Sequence, residues 1–336
     1  MKSILPVSTA LAVLVTAGMF VLKPAAAQPG KAVKKIIVCT VTTGFRHPSI
    51  PSAEATLKQL GEENGDYVVA DWVQQPTAPR APKKPGNLRP DADDKAKTRH
   101  AEEMKKYEAD LAAWTPEKEA ASNAEWDAQM IAGMEKLSPE NLRKAGIDAV
   151  IFANTTGDLP LPDREGFIKW VEEGHAFMAM HSGSDTFHGF TGYLDMIQGE
   201  FAGHGDQVPA SLVAGDQEHP ANGGLGEKWD IKQEEMYLIR HHDRTQLRSL
   251  WHMRHHPNEP QNEGYYPVSW CRAAGKGRVF YTSLGHRQDL WSADPNLKNR
   301  INPVETSKQF QAHLLGGIRW ALGLAAGSSE PNPAVQ

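Results

Sequence analysis

Hydrophobic positions along this chain alternate between short apolar runs and longer amphipathic stretches. The runs Ile36–Val41, Tyr67–Val73, Asp148–Asn154, Ala176–Met180 and Arg278–Leu284 are rich in β-branched and aromatic residues, which predicts strands. After the first run, Ala53, Ala55, Leu57 and Leu60 mark a helix that stops at Gly61 or Gly65. Further helices are predicted over about 163–173 and 305–325. A strand-helix-strand crossover this short makes parallel neighbours, so Tyr67–Val73 should lie beside Ile36–Val41. The rhythm predicts one doubly wound α/β domain over residues 28–327, with a mostly parallel sheet.

Three stretches depart from that rhythm. Gln75–Pro90 is Pro-rich, and 92–134 is rich in Ala, Glu, Lys and Asp. Its discontinuous apolar stripe, Tyr107, Leu111, Trp114, Trp126, Met130 and Ile131, predicts a helical hairpin inserted over about 76–134 and packed on the domain edge. Leu194–Asp230 reads as loops around one strand, SLVAG, followed by strand candidates Trp229–Tyr237, Leu247–Met253 and Pro267–Ala273 that extend the sheet or form an antiparallel flap. Residues 328–336 read as a disordered polar tail.

Three of the predicted strands run into a histidine: His47, His181 and His286. The C-terminal ends of parallel strands open on one edge of a sheet, so these rings should converge there. Imidazole binds zinc when neutral and titrates near neutral pH. With His204 in FAGHGD and Glu235 in QEEMY, the inventory suits a divalent metal such as Zn with an open position, His47, His181 and His286 being its ligands. Without a metal, a histidine would serve as general base.

Arg46 is a candidate to clamp a substrate carboxylate or to pair with Asp185. Thr156, Asp158 and Asp185 belong to loops on the expected cleft side, and Trp291 follows the His286 loop, a set able to hold a sugar. Plainer roles stand beside these: a turn former before Pro160 for Asp158, a helix N-cap for Asp185, core packing for Trp291 and backbone bracing for the histidines. Ser182 lacks the G-x-S-x-G surroundings of a nucleophile and reads as a small turn residue. His241, His242, His252, His255 and His256 fall in or near a loop composition that predicts solvent exposure.

The segments GFRHPSI (Gly44–Ile50), FANTTGDLPL (Phe152–Leu161), MHSGSDTF (Met180–Phe187), GRVFYTSLGH (Gly277–His286) and GGIRWALG (Gly316–Gly323) occur in one order, in which the chain resembles the ThuA-like family, named after a trehalose-utilisation protein. The resemblance spans roughly residues 34–324, outside the insertion. It implies a class I glutamine amidotransferase-like (flavodoxin-like) fold without amidotransferase chemistry, because His181 stands where those enzymes carry a cysteine nucleophile. Glu235 matches an acidic residue that the family tends to show before a tyrosine. The family's link to sugar catabolism implies a hydrolase or lyase acting on an oxidised (keto) glycoside, with His47, His181 and His286 at the centre and Asp185 and Glu235 as acid-base or ligand groups. A non-catalytic carbohydrate-binding protein is the alternative. The segment before the His181 strand, Gly174-His175-Ala176, departs from the family's glycine-rich turn.

Composition narrows the partners. With 40% hydrophobic residues in 336, the chain has enough apolar material for a sizeable core. A formal charge of -5 and no Lys/Arg run interleaved with aromatics argue against nucleic acid; the small carbohydrate expected as partner is what the family resemblance implies. Lys2, the apolar run Ile4–Leu22 and Ala25-Ala26-Ala27 predict a secretory signal over residues 1–27, hence a periplasmic or secreted protein without stable membrane insertion after cleavage; a retained anchor is the rival. The two cysteines, Cys39 and Cys271, make no disulfide framework, and neither ends a strand as a thiol nucleophile would.

Overall fold

The computed structural model describes residues 32–259 and 261–335, so the expected signal lies outside the described residues. Its strands are β1 (Lys34–Cys39), β2 (Tyr67–Val73), β3 (Ala149–Ala153), β4 (Ala176–Met180), β5 (Glu200–His204), β6 (Val208–Ala214), β7 (Lys228–Glu234), β8 (Tyr237–Arg240), β9 (Arg248–His255), β10 (Glu263–Ala274) and β11 (Gly277–Thr282). Nine of them form one sheet in the order β2-β1-β3-β4-β11-β10-β9-β6-β7, while β5 and β8 pair as a separate ribbon. From β2 to β11 every pairing is parallel; from β11 to β7 every pairing is antiparallel. The late strands therefore extend the sheet rather than folding over it as a flap.

The helices are α1 (Ile50–Asn64), α2 (Asp94–Ala113), α3 (Pro116–Met134), α4 (Pro139–Ala145), α5 (Arg164–Glu172), α6 (Thr191–Ile197), α7 (Gln288–Trp291) and α8 (Val304–Ala321). Alternation along β1 shows why both faces need cover: Ile36 and Val38 join one core with Leu57 of α1 and Phe310 of α8, while Ile37 and Cys39 join a second core with Leu142 of α4 and Phe167 of α5. β3 and β4 are buried throughout. This is the doubly wound α/β arrangement that the pattern predicts.

Register sets the position of the site. Cys39 pairs with Phe152, Ala153 with Met180, and Met180 with Thr282, so β1, β3, β4 and β11 end nearly level. The loops that follow them share one edge.

Several expectations change. α2 has no buried residue, Leu111 and Ile131 are 43% and 49% exposed, and only the end of α3 enters the core through Met130 and Met134. The insertion forms the expected helical pair, but only α3 packs on the domain, through Trp126, Met130 and Met134, while the sparse apolar positions of α2 stay exposed. The segment read as loops around SLVAG also contains β5. The strand expected over Trp229–Tyr237 breaks into β7 and β8, leaving Glu235 in the bend. His252 and His256 are buried rather than exposed: His252 lies in the interior strand β9 against the Tyr265 ring, and His256, just past that strand, packs on the Tyr266 ring. The tail is anchored: Asn332 accepts from the Ser249 N–H at 2.7 Å and donates to Gly215 O at 3.1 Å. Among the described residues, no helix is long and apolar enough to cross a membrane.

Candidate functional site

His181 occupies the sharp turn at the end of β4. Met180 is extended at φ -128, then His181 reverses to φ 49, a left-handed conformation that a non-glycine residue adopts at a cost. The surroundings hold it there. The ring Nδ1 donates to Ser283 O at 2.8 Å, and the main-chain carbonyl accepts from Tyr281 Oη at 2.8 Å. The Ser283 carbonyl fixes the proton on Nδ1 and turns the Nε2 lone pair inward.

His47 arrives on the loop after β1 and His286 on the loop after β11. Ring centroids are 4.6 Å apart for His47 and His181, 5.3 Å for His47 and His286, and 5.4 Å for His181 and His286. Glu235 completes the group from the bend between β7 and β8. One ligand atom from each of these four residues lies within 4.8 Å of the others. Glu235 Oε2 is 3.1 Å from His286 Nδ1 and 3.7 Å from His181 Nε2, and its Oε1 is 3.3 Å from His204 Nδ1.

Electrostatics separates the rings. Burial, the His286 charge and His204 pull His47 down to about 4 against the opposing Glu235. Burial, with His47 and His286 beside it, holds His181 well below the ordinary range. His286 goes the other way: burial lowers it, but Glu235 and Glu234 outweigh that and raise it. Two rings with lowered proton affinity and one with raised affinity therefore face a single carboxylate.

Two residues that the sequence did not single out, Tyr237 and Glu234, and one that it read only as a small turn residue, Ser182, shape this centre. Tyr237 Oη lies 2.9 Å from His181 Nε2, its ring stacked on the imidazole at 4.5 Å. Glu234, fully buried and pushed up to about 7 by that burial, accepts from the backbone N–H groups of His286 at 2.7 Å and Arg287 at 3.3 Å, pinning the His286 loop. Ser182 Oγ sits 3.2 Å from His47 Nδ1 and orients that ring. Its adjacency to the His181 turn was the available signal; Tyr237 and Glu234 had only their place beside Glu235.

The remaining candidates separate from the cluster. Asp185 bonds His188 Nε2 at 2.7 Å; His188 Nδ1 then meets Glu200, and Arg240 grips Glu200 with two bonds at 2.7 and 2.8 Å. The Arg46 guanidinium turns back to Thr40 O and Gln75 Oε1, both at 2.9 Å, so it does not pair with Asp185. Thr156 Oγ1 donates to Phe45 O at 2.9 Å and braces the His47 loop. Asp158 is drawn to Arg164 at 2.8 Å. Trp291 is 0% exposed, with its indole N–H on Gly285 O, so it supports the His286 loop from the core instead of lining a cleft. His204 borders the centre with its ring partly open to solvent. Phe45, 62% exposed, meets His47 edge-on at 4.8 Å.

Neither thiol belongs here. Burial raises the Cys39 thiol to about 12 and lifts Cys271 further, and Cys39 rests on Met134. No thiolate mechanism fits two such groups.

Known proteins agree with this architecture. A ThuA-like protein from Parabacteroides merdae superposes with a TM-score of 0.56 at 17% identity, covering 91% of this chain and 96% of its own. Another, from Bacteroides uniformis, gives 0.51 at 13% identity, covering 93% and 100%. At these identities the likeness shows the fold. No curated protein sequence matches the chain. The family model described as ThuA, trehalose utilisation, matches residues 35–321, spanning the sheet, the insertion and every residue of the histidine centre, and the chain therefore belongs to the ThuA family.

Proposed function

We propose that this is an exported carbohydrate-processing protein, a hydrolase or lyase acting on an oxidised (keto) glycoside, with a divalent metal such as zinc held by His47, His181, His286 and Glu235. One observation carries the reading: three imidazoles and a carboxylate, delivered by separate loops, offer ligand atoms within 4.8 Å of one another. The donor chemistry fits such an ion. His47 and His181 are held neutral by burial, as ligation requires, and their outer nitrogens are fixed by Ser182 and Ser283.

When bound, the metal would supply Lewis acidity toward a substrate carbonyl or water. The protein's own groups divide the remaining work. His286 lies 3.1 Å from Glu235, and Glu235 and Glu234 raise its affinity for a proton, so an ion taken up by this ring would have to displace that proton. Tyr237 donates to His181 Nε2 and must give up that bond before the nitrogen can ligate. Phe45 offers an exposed apolar ring face of the kind that sugars stack on, and the family model's description supports a carbohydrate.

Isothermal titration of the chelator-stripped protein with zinc, and metal analysis of protein purified without chelator, test the centre. One ion per chain is expected, with binding lost in His181→Ala. If no divalent ion binds wild type, or if the variant binds equally well, the metal reading fails and the non-catalytic sugar-binding alternative leads.

A further inference from the structure

Beside His286 the surface opens into a pocket of about 190 Å³, lined among others by Gln207, Arg287, Gln288, Lys298 and Asn299. A pocket well below the ~300 Å³ of a complete ligand site holds one ring or its substituent, not a whole substrate. It adjoins the histidine centre directly, because His286 lines both.

Its walls are fixed before anything binds. Arg287 is locked by Asp289 at 2.9 and 3.0 Å, by Gln207 Oε1 at 2.9 Å and by Asn299 O at 3.4 Å. Gln288 donates to Pro48 O at 2.8 Å. Asn299 holds a left-handed turn at φ 61, and the Asp294 carbonyl ties this loop to Arg300. Such preorganisation limits the ordering cost of binding.

What the walls still offer is a free cation and side-chain amides, since Gln288 Oε1 and the Asn299 side chain take no part in the bonds above. The only carboxylate lining the pocket, Asp289, is already used by Arg287, by the backbone N–H groups of Ile301 and Asn302, and by the Asn302 side chain. The Gln207 amide oxygen is occupied by Arg287, leaving its NH₂ group. Lys298 forms no ion pair with any described carboxylate, so its ammonium brings an uncompensated positive charge to the rim. With its carboxylate consumed and a free ammonium at the rim, this wall favours a negatively charged substituent, while the Gln288 and Asn299 amides can serve ring hydroxyls.

We propose that this pocket is a subsite for a carboxylate-bearing sugar ring, a uronic or aldonic acid unit, with Lys298 as its charge-recognising residue and the reacting carbon directed toward the histidine centre. The proposal rests on the reading of that centre as a carbohydrate site, and it narrows the substrate from glycosides in general to acidic ones.

Ligand-observed saturation-transfer NMR on the full chain, with D-glucuronate, D-glucose and acetate as probes, tests it. Glucuronate should bind about tenfold more tightly than either glucose or acetate, as expected for one charge-assisted contact added to a ring fit. Lys298→Gln should bring glucuronate down to the glucose level, and Lys298→Arg should retain most of the preference. Equal binding of glucuronate and glucose, an undiminished preference in Lys298→Gln, or acetate binding as tightly as glucuronate would each overturn the subsite. Zinc titration of the same samples keeps the two readings apart. Zinc binding without a glucuronate preference removes the subsite and leaves the centre; a glucuronate preference without zinc binding supports the subsite and removes the metal.

Discussion

Protonating His47 gives the centre a measurable cost. The ring is held at about 4 against an ordinary 6.5, first by burial and then by its charged neighbour His286. An unfolded chain takes up the proton near 6.5 and the native one only near 4, so the native state loses stability as pH falls through that window. A gap of two and a half units corresponds to about 3 kcal/mol when complete, and to about 1.4 kcal/mol already at pH 5.5. The assay is urea unfolding of chelator-treated protein at pH 7.5, 5.5 and 4.5, for wild type and for His47→Gln, which cannot titrate. Other buried histidines, among them His313 and His219 at about 4, contribute to both proteins and cancel in the comparison. Wild type should lose about 1.4 kcal/mol more than the variant between pH 7.5 and 5.5, and about 2.5 kcal/mol more by pH 4.5. Parallel losses in the two proteins would mean that His47 is charged or solvated in the native state, and the neutral-ligand argument would fall with it.

Further outcomes follow from the same geometry. Glu235→Gln removes the carboxylate facing three imidazoles, so His286 should titrate lower by NMR and zinc should bind at least ~100-fold more weakly by calorimetry. Met134→Ala should cost about 2–4 kcal/mol in urea unfolding, because Met134 is fully buried against Cys39, whereas Leu111→Ser on exposed α2 should leave stability unchanged. Removing residues 78–125 while keeping the end of α3 should leave a folded domain by circular dichroism, whereas a cut extended through Met134 should unfold it. Cys39→Ala with Cys271→Ala should retain zinc binding, each costing ~1 kcal/mol of stability as lost packing.

How far the sequence carried can be traced residue by residue. The alternation in β1, β3 and β4, and the strand-end positions of His47, His181 and His286, were legible because period and chain direction are local properties that a parallel sheet converts into a shared edge. Tyr237 was not legible, because its partner His181 lies 56 residues away and the contact depends on the break between β7 and β8. Trp291 misled for a related reason: nearness in sequence to His286 said nothing of which side of the loop its ring would take, and the ring went to Phe310 in the core. Arg46 shows the same limit, since Thr40 and Gln75 captured its guanidinium at the end of β1.

The division of the sheet explains why this centre has the composition it has. The parallel half delivers His47, His181 and His286 from three strand ends, all donors of one chemical kind, and parallel strand ends alone bring no carboxylate into the cluster. The antiparallel extension supplies the acid: β7 ends at Glu234, the chain bends at Glu235, and β8 starts at Tyr237, placing three functions within four residues at the mouth of the parallel edge. Glu234 stays buried to hold the His286 backbone, Glu235 faces the rings, and Tyr237 caps His181. A strand continuing unbroken from 229 to 237 would send Glu234 and Glu235 to opposite faces of a sheet and hold the Tyr237 ring in register with Glu235. The bend frees all three from that alternation, so the break in β pairing is what lets one short segment complete a site whose histidines come from elsewhere in the fold.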